Sequence, residues 1–148
     1  MSLYLDASAI VPTLVEEAAS RAIDARLMAA SDALIVSDFA SAEVASAISR
    51  LVRMKFLAAE HGATLLREFD AWRATATAGV DFQPADFRLA DVFVRRFDLG
   101  LRAPDALHLA VCRRGDHTLM TVDRRLAAAA EALRVRVESI AGASPTPP

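Results

Sequence analysis

Short runs of consecutive apolar residues alternate along the chain with longer stretches in which apolar residues recur at helical spacing. The short runs predict buried strands over residues 3–5, 33–36, 80–82, 117–121 and 135–137. The longer stretches predict helices, from residue 8 or 13 to about 30 and then over 37–56, 58–76, 84–97, 104–115 and 126–133. Strands that alternate with helices indicate a parallel sheet, because parallel strands need crossover connections. We therefore predict an α/β fold with a parallel central sheet flanked by helices on both faces.

The length and composition of the chain fit a single domain. It has 148 residues, of which 54% are hydrophobic, and this is enough to form a substantial core. We assign residues 1–140 to this domain and expect residues 141–148 to form a disordered tail. No apolar run reaches the roughly 18 residues that span a bilayer, and the chain does not begin like a signal peptide. We therefore expect a cytoplasmic protein with no membrane segment.

Four acidic residues lie where the predicted fold could bring them together. Asp6 and Asp123 directly follow predicted strands, and ligands of open α/β sheets bind outside the carboxyl ends of the strands. Glu43 lies on or beside the apolar face of its helix, where an unpaired carboxylate is costly. Asp105 lies at a predicted helix start. Taken singly, Asp6 could fix a turn, Asp123 could cap a helix and Asp105 could complement a helix dipole.

A divalent cation is the partner that suits all four acids at once. No lysine near them can serve this purpose, since Lys55 is the only lysine in the chain. Mg²⁺ and Mn²⁺ favour carboxylate oxygens supplied by different segments. Carboxylates gathered within about 6 Å raise one another's pKa unless a cation compensates them. The sequence therefore predicts a metal site, provided that the fold assembles the four acids.

Four segments of the chain together resemble the PIN domains of VapC-type toxins. They are LDASA at 5–9, AEV at 42–44, APDALHLA at 103–110 and TVDRRL at 121–126. The resemblance covers residues 3 to about 137 in the expected order. It implies a single PIN-like domain and an endoribonuclease that uses one or two Mg²⁺ or Mn²⁺ ions. Carried over by position, Asp6, Glu43, Asp105 and Asp123 are the expected catalytic and metal-binding residues.

The resemblance also suggests roles for residues around the acids. Ser8 and Thr121 match hydroxyl positions near the site, where they would orient carboxylates or water, although ordinary turn and cap roles stay open. Arg102 and Arg124 are candidate RNA contacts because they neighbour the expected metal ligands. Arg124 and Arg125 follow Asp123 where some PIN domains carry another acid, so the binding of a second ion is left open. The expected cleavage products carry 5′-phosphate and 3′-hydroxyl ends.

The resemblance further implies three partners: an RNA substrate, a second copy in a homodimer, and a small antitoxin whose helical tail lies across the toxin. An aromatic and aliphatic group on the fourth helix could belong to the core or to a groove for that partner; it comprises Leu65, Leu66, Phe69 and Trp72. The histidines at 61, 108 and 117 lack the spacing of metal ligands, which favours structural or surface roles. Cys112, in an apolar stretch, is expected to be an ordinary buried thiol.

Other function classes fit the sequence less well. Receiver domains and haloacid-dehalogenase-type phosphatases each need a lysine in the site, and the latter also need an acid where this chain has Ser8. A nucleotide-binding switch would need a glycine-rich phosphate loop, but the five glycines are isolated. The alternative that stays open is a catalytically silent PIN-like module that binds RNA or a partner protein.

Overall fold

A computed structural model describes residues 1–140 of the chain, so the tail predicted at 141–148 lies outside the described residues. Four strands form one sheet: β1 (Ser2–Leu5), β2 (Ala33–Ile35), β3 (Thr118–Thr121) and β4 (Val137–Ser139). Their order is β2-β1-β3-β4, and every pairing is parallel. The prediction of an α/β fold with a parallel central sheet is confirmed.

Seven α-helices surround the sheet in the described part of the chain. They are α1 (Ala7–Leu14), α2 (Ser20–Met28), α3 (Asp38–Arg53), α4 (Ala59–Ala76), α5 (Pro84–Val94), α6 (Ala103–Gly115) and α7 (Arg124–Ala132). A short 3₁₀ helix, Phe97–Leu99, lies between α5 and α6. Across residues 1–140, none of the helices combines the length and apolar character needed to cross a membrane.

The central strand β1 supplies side chains to the cores on both faces of the sheet. Leu3 and Leu5 pack with buried residues of α1, α2, α3 and α4, whereas Tyr4 packs with those of α5, α6 and α7. Successive side chains of a strand point to opposite faces, so this division follows from the strand geometry. Both faces are buried, which explains why β1 is a continuous apolar run in the sequence.

Three of the helices begin immediately after a strand, and a polar side chain caps each of them. Asp6 accepts a hydrogen bond from the Ala9 amide at the start of α1, and Ser37 does the same for Ala40 at the start of α3. Asp123 accepts from two amides at the start of α7. Because parallel strands end at the same edge of the sheet, three helix N-termini gather there.

Several predicted element boundaries are wrong. Residues 80–82 form no strand; only Ala78 makes an isolated bridge, to Ile35. Phe82 packs instead on the Phe39 ring, at a centroid distance of 5.6 Å, so its apolar character reflects aromatic packing. The last strand is Val137–Ser139 rather than 135–137, because the chain turns at Arg134 with φ of 56°.

Three helical predictions also need correction. The stretch from 8 or 13 to 30 is two helices, and Asp6 rather than Ser8 or Thr13 caps the first. The third helix ends at Arg53 rather than near 56, just before Lys55 adopts a φ of 61°. The helix predicted over 84–97 ends at Val94, and the following 3₁₀ turn closes at Gly100, whose φ is 60°.

Candidate active site

The four acids predicted from the sequence line one cleft of about 170 Å³ at the carboxyl edge of the sheet. Asp6 follows β1, Asp123 follows β3, Glu43 projects from α3 and Asp105 lies in the first turn of α6. The rest of the cleft is lined by Ala7, Ser8, Arg102, His108 and Leu126. The fold therefore brings together acids that are up to 117 residues apart in sequence.

Asp6 is the most enclosed of the four acids, with only 4% of its surface exposed. Its Oδ1 accepts hydrogen bonds from the Ser8 hydroxyl at 2.8 Å and the Ala9 amide at 3.0 Å. Its Oδ2 accepts from the Thr121 hydroxyl at 2.8 Å. Burial raises the pKa of Asp6, while its electrostatic interaction with His108 and the hydrogen bonds from Ser8, Thr121 and Ala9 oppose that rise.

Ser8 and Thr121 connect the first turn of α1 with the end of β3 at the cleft. Their hydroxyl oxygens lie 3.0 Å apart, and each also accepts a backbone amide, from Val122 and Asp123 respectively. Both hydroxyls donate to Asp6. They therefore hold the Asp6 carboxylate in one orientation.

Asp123 and Asp105 each accept hydrogen bonds through one of their two carboxylate oxygens. Asp123 Oδ1 accepts the amides of Arg125 and Leu126 at 2.8 and 3.2 Å. Asp105 Oδ2 accepts the Arg102 amide at 3.4 Å and the Arg102 side chain at 3.2 Å. The second oxygen of each carboxylate makes no hydrogen bond within residues 1–140.

Glu43 is anchored by a histidine rather than by backbone amides. Its Oε2 lies 2.6 Å from Nε2 of His108, whose side chain is only 3% exposed, whereas the Glu43 side chain is 30% exposed. His108 follows Asp105 by one helical turn on α6, so both side chains reach the cleft from the same helix. This contact between α3 and α6 completes the ring of acids.

The donor set of the cleft fits a hard divalent cation. Four carboxylates face the same space without a thiol among the lining residues, and oxygen donors of this kind suit Mg²⁺ and Mn²⁺. Asp105, Asp123 and Glu43 each engage protein donors through one oxygen, and Asp6 has one of its roughly four acceptor positions left. In their present rotamers, no three acidic, histidine or cysteine side chains of residues 1–140 are close enough to enclose an ion.

The two candidate RNA-contacting arginines differ in position. Arg102 lines the cleft and forms an ion pair with Asp105, with 68% of its own side chain exposed. Arg124 is exposed at the first position of α7 and is not among the residues that line the cleft. The structure therefore places Arg102, but not Arg124, at the four acids.

The remaining candidates fall outside the cleft. His61 is exposed on α4, and His117 shares a hydrogen bond with the Ser2 hydroxyl at 2.6 Å. Burial raises the pKa of the Cys112 thiol well above its usual range, as expected of an unreactive core cysteine.

The aromatic group on α4 divides between core and groove. Leu65 and Phe69 are buried, and Leu66 is partly buried against the same core. Trp72 is partly exposed and lines a groove of about 450 Å³ between α4 and the first two helices, together with Leu14, Leu27 and Met28.

Sequence reasoning missed three buried residues behind the site. The sequence favours a structural or surface role for His108 and does not predict its hydrogen bond to Glu43; Nδ1 of the same ring lies 2.8 Å from the Tyr4 hydroxyl. Tyr4 in turn lies 2.7 Å from the Ser37 hydroxyl. The available signal was the spacing of His108 from Asp105, three residues along one helix face.

The sequence profile of the PIN domain family matches residues 3–132. The chain belongs to the PIN domain family. No curated protein sequence gives a significant match to this PIN domain.

Several solved structures share the fold of this PIN domain. One of them is VapBC2 from Rickettsia felis bound to a DNA fragment from the VapBC2 promoter. The matched chain has 14% identity and a TM-score of 0.66, and the match covers 94% of this chain and 98% of that one. VapC20 from Mycobacterium tuberculosis, a toxin that cleaves the sarcin-ricin loop, has 17% identity and a TM-score of 0.69, covering 86% and 95%. VapBC-1 from nontypeable Haemophilus influenzae has 9% identity and a TM-score of 0.65, covering 94% and 98%. At these identities the likeness shows a common fold.

Proposed function

We propose that this PIN domain is a metal-dependent endoribonuclease and the toxin component of a toxin–antitoxin pair. The observation that carries the proposal is the convergence of four carboxylates, from four separate segments, on one cleft at the carboxyl edge of the sheet. Such a group of acids is hard to explain by local structure alone, because like charges placed together destabilise a fold unless a cation binds them.

Asp6, Glu43, Asp105 and Asp123 are the residues that would hold one or two Mg²⁺ or Mn²⁺ ions. The chemistry supplied by such an ion would be activation of water for attack on phosphorus and neutralisation of charge on the phosphate oxygens. The donors fit this role because each carboxylate is oriented by protein hydrogen bonds and still has acceptor capacity left.

The side chains of the cleft favour water over a protein nucleophile. The hydroxyls of Ser8 and Thr121 both donate to Asp6, and each hydroxyl oxygen accepts a backbone amide, so both groups are already engaged within the protein. The Cys112 thiol is buried in the core. Attack by water on phosphorus, with cleavage of the P–O3′ bond and departure of the 3′-oxygen as a hydroxyl, would give the expected 5′-phosphate and 3′-hydroxyl ends without using the 2′-hydroxyl of the RNA.

Arg102 is the residue best placed to bind the RNA backbone. Its guanidinium lies at the mouth of the cleft and pairs with Asp105 through a single bond to Oδ2. A planar guanidinium can bind phosphate in two-pronged geometry. The N-termini of α1, α6 and α7 lie at the same edge and add partial positive charge, which favours an anion there.

The experiment that tests the proposed function is incubation of the purified protein with total cellular RNA, with and without Mn²⁺. We expect new fragments only in the presence of the ion, and mapping should give 5′-phosphate and 3′-hydroxyl ends. RNA binding without any metal-dependent cleavage would instead support the catalytically silent PIN-like module.

An antitoxin and a second copy of the chain are the proposed protein partners. VapBC2 and VapBC-1 share this fold and are toxin–antitoxin complexes, which supports an antitoxin partner. The groove beside Trp72 supports an antitoxin site because it is mainly apolar, carries Asp24 and Glu68 in its lining, and is bordered by Met28, which is 89% exposed. A second groove, lined mainly by Phe87, Ala90 and Val94 of α5 and Leu107 of α6, supports an apolar contact surface for a homodimer.

The melting temperature of Asp105→Asn tests whether Asp105 binds the metal. In chelator, we expect the variant to melt at or above the wild-type temperature, because a like charge is removed while an oxygen is kept for Arg102. With Mn²⁺ at about 100 times Kd, the wild type should gain about 2.7 kcal/mol, or roughly 5–10 °C. The variant should gain clearly less. Equal metal-induced shifts would make Asp105 only a helix-start residue.

A further inference from the structure

A chain of buried hydrogen bonds leads from the start of α3 to Glu43. The Ser37 hydroxyl lies 2.7 Å from the Tyr4 hydroxyl, which lies 2.8 Å from Nδ1 of His108. Nε2 of the same imidazole lies 2.6 Å from Glu43 Oε2. We call this chain of four side chains, Ser37, Tyr4, His108 and Glu43, the relay. Its first three members are at most 2% exposed, so only the Glu43 end reaches solvent.

The donors and acceptors of the relay can be assigned from their chemistry. An ionised Glu43 carboxylate only accepts, so His108 Nε2 carries a proton and donates to it. In a neutral imidazole, Nδ1 is then an acceptor, and the Tyr4 hydroxyl donates to it. Tyr4 in turn accepts from Ser37, whose oxygen accepts the Ala40 amide. Each group has a partner, and one ring nitrogen is directed at Glu43.

Glu43 accepts one hydrogen bond, whereas each of the other three acids accepts at least two within residues 1–140. Asp6 is held by three hydrogen bonds, and Asp123 by two backbone amides. Glu43 has a longer side chain, lies in the middle of a helix, and has His108 as its single hydrogen-bond partner within residues 1–140. Without that bond, several rotamers of Glu43 would compete.

We infer that His108 is a positioning residue, held by Tyr4 and Ser37, that fixes the Glu43 carboxylate for metal binding. This inference rests on the proposed function, since it concerns the same cleft. Ser37 also caps α3, the helix that carries Glu43. The relay therefore sets both the start of α3 and the direction of Glu43, and it connects β1, α3 and α6 at the site.

A purely structural role for these rings is the rival explanation. The His108 ring packs against Phe39 and Tyr4, with centroid distances of 5.1 and 5.6 Å. Loss of stability alone would therefore not support positioning. A test needs variants that keep the packing and change only the hydrogen bonds, together with a readout of metal affinity.

The experiment compares His108→Phe, His108→Gln and Tyr4→Phe with the wild type. His108→Phe keeps a ring but removes the donor to Glu43, His108→Gln restores a donor near the Nε2 position, and Tyr4→Phe keeps the ring that packs on His108. The control is His117→Gln, since His117 also stacks near Tyr4, at 6.4 Å, but bonds Ser2 instead of the relay. Each protein is measured for chelator-state melting, Mn²⁺ affinity by calorimetry and RNA cleavage. The proteins that keep His108 are also measured for exchange of its Nε2 proton by NMR.

We expect His108→Phe to bind Mn²⁺ about 10- to 100-fold more weakly, the range found when partners of metal ligands are removed. His108→Gln should recover most of that affinity. Tyr4→Phe should weaken binding less than His108→Phe and should speed solvent exchange of the His108 Nε2 proton. His117→Gln should match the wild type in affinity.

Wild-type Mn²⁺ affinity in a folded His108→Phe variant would overturn the inference while leaving the proposed function intact. If His108→Phe does not fold, unchanged affinity and unchanged proton exchange in Tyr4→Phe would overturn it equally. If the wild type binds Mn²⁺ but cleaves no RNA, the proposed ribonuclease function is overturned. The comparison of Mn²⁺ affinities would still show whether His108 positions Glu43. A wild type that binds neither Mn²⁺ nor Mg²⁺ would overturn both.

Discussion

Asp6→Asn should reduce metal-dependent RNA cleavage by more than about 100-fold, because even the loss of an outer partner of a metal ligand costs about 10- to 100-fold. The substitution keeps the side-chain volume and removes one negative charge from the most enclosed acid of the cleft. The measurement is the cleavage rate with saturating Mn²⁺, compared with that of the wild type.

The fold should survive this change because every hydrogen-bonding group around Asp6 can still find a partner. The asparagine side chain of the variant can place its oxygen where Oδ1 accepts from Ser8 and Ala9. Its amide then faces Thr121, whose hydroxyl can turn to donate to Ser8 at the present separation of 3.0 Å. Far-ultraviolet circular dichroism should therefore be unchanged.

In chelator, the Asp6→Asn variant should melt at or above the wild-type temperature. Burial raises the pKa of Asp6 against the opposing effects of His108, Ser8 and Thr121. A carboxyl group with a raised folded-state pKa destabilises the fold once the pH exceeds its unfolded value, about 3.9, and the neutral amide removes that cost. Asp70→Asn, at an exposed position on α4, is the matched control. Near-wild-type cleavage by Asp6→Asn would remove Asp6 from the proposed site.

The positions of Asp6 and Asp123 could be predicted from sequence because they follow from local pattern and sheet geometry. A short apolar run followed by an acid predicts a strand end, and parallel strands end at one edge. The same reasoning applies to Glu43, since the helical spacing of Ala40, Val44 and Ile48 places their common face towards the core. Each of these three acids could be placed from the sequence pattern of a single strand or helix.

The contact of Glu43 with His108 could not be predicted in this way. It depends on how α3 and α6 approach one another across the sheet edge, and no local pattern encodes that distance. The wrong prediction of a strand at 80–82 has a related cause. Phe82 packs against aromatic rings of other elements and does not pair with a neighbouring strand. Apolar character favours burial of a residue, but it does not show what the residue packs against.

Arg114→Met should lower the free energy of unfolding by about 3–5 kcal/mol, the cost of leaving a buried charge without its partner. Arg114 donates to both carboxylate oxygens of Asp86, at 2.7 and 3.0 Å, and joins the end of α6 to the start of α5. The Asp86 side chain is 1% exposed. Its Oδ2 also accepts the Gln83 amide at 2.8 Å, so its position is fixed by the helix cap.

A double variant separates the cost of the unpaired Asp86 charge from the cost of losing the Arg114 side chain. Asp86→Asn combined with Arg114→Met should recover most of the lost stability, because the amide is neutral and still offers an oxygen to Gln83. Arg95→Met is the control at an exposed pair: Arg95 and Asp91 are 73% and 61% exposed, and such pairs contribute about 0–1 kcal/mol. Urea unfolding near neutral pH measures all four proteins.

The difference in stability between the wild type and Arg114→Met should depend on pH through the charge of the Asp86 carboxylate. Burial alone would raise the pKa of Asp86, but the hydrogen bonds from Arg114 and Gln83 outweigh it and hold the pKa below its ordinary value. The wild type therefore keeps this stabilisation until the pH falls through that lowered pKa. In Arg114→Met the unpaired carboxyl is protonated at higher pH, so the stability gap should narrow as the pH falls towards about 4. A gap that stays constant over this range would mean that lost packing of the arginine, and not the buried carboxylate, accounts for the destabilisation.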